Sequence, residues 1–101
     1  MNPVNLAEIA AGLPQAWSSR TLGTVGAACV KVLRMDEMPV REESHAATEA
    51  LLVLDGRLEM KVDGKPVSVR AGELFMMAAR TPHTVLPGSR GTLVIVDVPQ
   101  E

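Results

Sequence analysis

The chain has 101 residues, 47% of them hydrophobic and only 2% aromatic, and its ten basic and twelve acidic side chains leave a formal charge of −2. That size and apolar content suit one compact domain with one core, and the near-neutral balance gives no pull toward phosphate backbones or acidic membrane surfaces, so nucleic acid is not an expected partner. No apolar run approaches the ~20 residues that span a bilayer, residues 1–13 lack the basic start of a secretory leader, and the lone Cys29 cannot close an internal disulfide; the expectation is a soluble, cytoplasmic protein with no membrane partner.

The chain opens on a short helix: Asn5 is placed to cap it, Glu8 follows at capping-box spacing, and Gly12 and Pro14 end it. No further helix signal follows. Residues 28–35 alternate with the period of a strand, Cys29, Lys31, Leu33 and Met35 on one face and Val30, Val32 and Arg34 on the other. Residues 50–54 form an unbroken apolar run ending at Asp55-Gly56, the pattern of a strand covered on both sides. Asp63-Gly64 then falls between two alternating segments, and a type I′ turn needs positive φ at both central positions. A two-residue loop there sets Val62 against Lys65, Met60 against Val67 and Leu58 against Val69, with Pro66 opposite Lys61 in a non-hydrogen-bonded pair, where its missing N–H leaves no bond unmade. Further strands are expected over residues 73–78, 83–86 and 92–98, separated by glycine- and proline-containing breaks. Short strands at such spacing point to an all-β sandwich or barrel.

Within that frame, His45, Glu49 and His83 are the candidate metal ligands. Four residues of extended strand would hold His45 and Glu49 about 13 Å apart at ~3.3 Å per residue, too far for one ion bonded at roughly 2.0 to 2.2 Å. The chain therefore has to turn at residues 46–48, with His45 arriving from the end of one strand, Glu49 from the start of its antiparallel neighbour and His83 by sheet pairing. Imidazole and carboxylate together suit iron(II), manganese, nickel, cobalt or zinc, and ligand type alone does not choose between them. Met60, Met76 and Met77 read as packing and Cys29 as a small buried hydrophobe. Ser44 adjoins His45, but neighbouring strand residues face opposite ways, and no serine sits in a nucleophile turn. No residue reads as holding an organic cofactor, and none is assigned a catalytic role. With one Phe, one Trp and no Tyr, a small aliphatic or polar ligand suits the interior better than a ring that stacks.

From Val30 to Val98 the sequence resembles the cupins. Their first motif runs from a His-x-His pair through three or four residues to Glu and six more to Gly, and its second half is reproduced by His45, Glu49 and Gly56; Gly64, Gly72 and His83 match the second motif. The opening, residues 3–8 with Trp17-Ser18, also looks like the start of some small single-domain members. The resemblance implies a cupin-type double-stranded β-helix, a jelly-roll barrel, over residues 28–101 behind a helix and lead-in at 1–27. It makes Glu43 a fourth candidate ligand at the first histidine's position if the shorter spacing applies; the longer spacing selects Glu42 and Ser44 instead, and a one-residue slip turns a side chain to the other face. Ala78, Arg80 and Pro87 replace the second motif's Pro, Gly and Asn, and Arg80 would bring a cation near the pocket mouth. The functions implied are a divalent metal and small-molecule site serving a metal-dependent oxygenase or isomerase, or a barrel without a complete metal site that acts as a binding module. The resemblance also implies a homodimer, with Val30, Val32, Leu52 or Val94 at the interface.

Overall fold

The computed structural model describes residues 2–37 and 42–99. Among these residues one helix, α1 (Leu6–Gly12), precedes seven strands: β1 (Arg20–Val25), β2 (Ala28–Met35), β3 (Glu49–Val62), β4 (Lys65–Arg70), β5 (Leu74–Met77), β6 (His83–Val85) and β7 (Arg90–Asp97). All strand pairings are antiparallel, in the order β1-β2-β7-β3-β4, with β5 and β6 also on β3.

The fourteen-residue β3 organises the fold because it changes neighbours along its length. Its first part pairs with β5 and β7, and its last part with β4 and β6. The switch occurs where the β3–β7 register slips between Val53 and Asp55 and where Gly56 faces Gly91. Bulges let one strand turn a corner between two sheets. Both glycines are obligatory there: Gly56 has φ +72 and a Cβ on it would lie 1.9 Å from the Arg90 carbonyl oxygen, while Gly91 has φ +105 and its Cβ would lie 2.2 Å from that of Asp55. The corner closes the sheet into the small all-β barrel that the sequence leads one to expect.

The hairpin register is as derived: Val62 pairs with Lys65, Lys61 with Pro66, Met60 with Val67 and Leu58 with Val69, across a turn with Asp63 at φ 49 and Gly64 at φ 80. Leu33, Met35, Leu51, Val53, Leu58 and Met60 are among the buried side chains that fill the interior.

The outer face of β2 and β7 is covered by α1, where Ala10, Val32 and Val94 are buried and Val30 and Leu52 pack alongside. This explains why neither face of β2 reads as polar. It also removes Val32 and Val94 from the expected dimer interface, since both are already covered by this chain's own helix, while Val30 and Leu52 stay partly exposed. Asn5 caps α1 as expected, its Oδ1 accepting the Glu8 N–H at 3.0 Å. The far end is capped from outside: Arg34 Nη1 donates to the carbonyls of Ala10, Ala11 and Leu13 at 2.7, 3.3 and 3.0 Å, a favourable place for a cation.

One strand lies outside the sequence expectation. Residues 20–25 have almost no buried side chain, hence no alternation to detect; β1 exists through its pairing with β2.

Candidate metal centre

Three backbone arrangements assemble the site. Glu43 and His83 form an isolated antiparallel bridge, exchanging N–H···O bonds of 2.8 and 2.9 Å, which sets their side chains on the same side. His45 lies just beyond that bridge in irregular chain rather than at the end of a strand, and its carbonyl accepts the Arg80 N–H at 2.6 Å. After bends at Ala46 and Ala47, Thr48 Oγ1 accepts the Ala79 N–H at 3.3 Å and Glu49 opens β3. The turn demanded by the ligand spacing is therefore present, but the segment before it is held by residues 79–83.

The donors converge. His45 Nε2 lies 3.4 Å from Glu43 Oε2 and 3.5 Å from Glu49 Oε1, and the two imidazole centroids are 5.4 Å apart. Glu43, His45 and His83 each offer a ligand atom within 4.8 Å of the other two, somewhat more than the roughly 4.2 Å that two ~2.1 Å bonds to one ion span, so the side chains would draw in slightly on binding. Glu49 joins through His45 and lies outside that mutually close set. Glu42 is exposed, and it is Glu43 that enters the group.

His83 is prepared for such a role. His83 Nδ1 lies 2.9 Å from the Thr81 carbonyl oxygen; a carbonyl only accepts, so that nitrogen carries the proton and Nε2 keeps a free lone pair. A bond from the ring nitrogen that faces away from the ion fixes tautomer and ring orientation at metal-binding histidines. Glu49 is 8% exposed, and burial pushes its carboxyl above the usual carboxylate range; His45 opposes this, Asp97 adds to it, His83 opposes it and Glu43 adds to it. An inward carboxylate held this way is costly unless a cation or a proton offsets it.

The group lines a cavity of about 240 Å³ whose remaining wall is largely apolar, with Trp17 and Ser19 also lining it. The Trp17 N–H donates to the Arg34 carbonyl at 2.8 Å and its Nε1 to that of Asp36 at 3.0 Å, which holds the ring in place. Beyond His45 and Glu49 a second hollow of about 290 Å³ contains Lys31 and Asp97, paired at 3.1 Å.

Neither that pair nor Trp17 and Ser19 is among the sequence-derived candidates. Lys31 gave a signal, since it shares a face with Leu33 and Met35 and an inward lysine needs a counter-charge. Arg80 does not bring a cation to the cavity: it is exposed and absent from the lining, and it contributes its backbone N–H from a left-handed conformation at φ 59, where the cupin motif has glycine.

The cupin domain profile matches residues 34–99. Among solved structures, a cupin-2 domain containing protein from Shewanella frigidimarina superposes with a TM-score of 0.85 at 18% identity, covering 95% of this chain and 94% of that one. A cupin superfamily protein from Desulfitobacterium hafniense gives 0.78 at 17% identity, covering 98% and 92%. An RmlC-like cupin from Shewanella frigidimarina gives 0.70 at 18% identity, covering 82% and 76%. At these identities the likeness is one of fold. No curated protein sequence matches the chain.

Proposed function

The chain belongs to the cupin family, and we propose that it binds one divalent metal ion through His45, His83, Glu43 and Glu49, with a small ligand in the barrel beside it. The observation that carries this reading is the meeting of Glu43, His45 and His83 donor atoms within 4.8 Å in the wall of a largely apolar cavity. The donor chemistry fits: two imidazoles and two carboxylates, with no thiolate, suit iron(II), manganese, cobalt, nickel or zinc. His83 would bind through Nε2 because Thr81 engages Nδ1. A bound cation would offset the cost of burying the Glu49 carboxylate, which burial disfavours in the charged form. A bound ion with open positions supplies Lewis acidity toward a chelating ligand, the chemistry that an oxygenase or isomerase reading needs.

The test is metal titration of protein prepared without a histidine tag, beside His83→Ala. One ion per chain, lost in the variant, is expected; equal retention by the variant sinks the reading. A second reading, a binding module without a complete metal site, is favoured by one observation: Glu43, half-exposed, stands where the cupin motif has histidine. It predicts substoichiometric metal and a thermal shift with a small organic ligand alone.

The proposal includes a homodimer, since β1 and β4 end the sheet order and unpaired edges are usually covered. Light scattering that gives a monomer mass at working concentration contradicts it. Among the described residues no helix is long and apolar enough to cross a membrane.

A further inference from the structure

The charges around the cavity limit what can fill it. Among the described residues, Glu43 and Glu49 supply the only acidic groups of its lining, and no lysine or arginine lines it. With a divalent ion bound, as proposed above, the two carboxylates and the ion sum to zero. Among the described residues, the two cations of β2 are committed elsewhere: Lys31 is paired with Asp97 at 3.1 Å in the adjoining hollow, and Arg34 is held by the carbonyls of α1 across the sheet. Beyond the ion, a ligand would meet Leu33, Leu51, Leu58, Met60, Leu93 and Ile95. A charge buried against such a wall without a partner is strongly disfavoured. The volume of about 240 Å³ is below the roughly 300–1,000 Å³ usual for drug-sized ligands.

We infer that the ligand of this site is a compact molecule with one polar, metal-chelating end and an uncharged aliphatic body, and that molecules carrying a phosphate or a carboxylate at the far end are rejected. This rests on the metal reading, and the experiment separates the two. Cobalt(II) is titrated first, its visible absorption reporting the coordination of the ion. Two chelators of the same head and nearly the same shape are then compared on the cobalt-loaded protein: 4-methylpentanohydroxamic acid, which ends in an isopropyl group, and succinic monohydroxamic acid, which ends in a carboxylate.

The isopropyl compound is expected to bind at least tenfold more tightly. Ser19→Arg, which places a cation on the exposed residue at the lining, is expected to narrow the gap at least threefold by strengthening the carboxylate compound. Failure of cobalt to bind overturns the metal reading and this inference with it. Cobalt binding with equal or tighter affinity for the carboxylate compound overturns the inference alone, and a gap that Ser19→Arg leaves unmoved overturns its electrostatic basis.

Discussion

The two ends of β3 are made of different material. At residues 58–62 the strand lies in a hairpin whose register follows from a two-residue turn, and its inward side chains Leu58 and Met60 are buried in the core. At residues 49–53 the same strand begins with a buried carboxylate beside two histidines, held by bonds to segments some thirty residues away. Local rules build the first end, although Leu51 and Val53 at the second are buried in the same core. Long-range contacts build the second, which carries polar groups that a core would exclude. One strand thereby joins a stabilising half to a chemical half, and Gly56 is the joint.

The joint is the most sensitive point. Gly56→Ala must place a methyl group against the Arg90 carbonyl at a positive φ, so strain and overpacking together should cost about 4 kcal/mol, measured by urea denaturation. A loss below about 1 kcal/mol would show that the corner yields easily. In the stabilising half, Leu58→Ala removes a side chain that is 1% exposed and should cost about 3 kcal/mol.

Glu49→Gln should act in the opposite direction. The folded apo-protein holds the Glu49 proton more tightly than the unfolded chain does. The stability this gives is fully present below the unfolded carboxyl's titration and is lost as pH rises through the raised folded value. The variant should therefore be more stable than the parent at neutral pH, with a flatter pH profile in thermal melts run with a chelator, and it should bind metal more weakly. A variant less stable than the parent at neutral pH would place Glu49 among the stabilising residues. The smallest effect is expected at Arg80→Gly. The left-handed conformation at φ 59 costs a side chain roughly 1–2 kcal/mol, offset in part by the chain entropy of glycine. A gain of about 0.5 kcal/mol in denaturation is expected, and a loss would mean that the arginine side chain contributes to the chemical half.

The same division governs what could be read from the sequence. The hairpin was legible because Asp63-Gly64 and the alternation around it are local signals. His45, Glu49 and His83 were legible as types at suggestive spacings, and the need for a turn between the first two followed from strand rise. The partner of His83 was not, because the choice between Glu43 and Glu42 depends on a backbone bridge forty residues distant in sequence. Lys31 signalled a need for a counter-charge, but its partner Asp97 lies 66 residues away and no local pattern points to it; β1 is exposed along its length and so left no alternation to read. The covering of Val32 and Val94 by α1 needed the helix to fold back on β2, which the cap at Asn5 does not specify.

The central claim is that Glu43, His45, Glu49 and His83 form one ion's binding site, and anomalous scattering from crystals grown with cobalt tests it at the position itself. The account predicts a single strong peak within bonding distance of His45 Nε2 and His83 Nε2, with at least one of the two carboxylates completing the set. A peak elsewhere on the molecule, or none between the two imidazoles, would contradict it and leave the barrel without a metal centre.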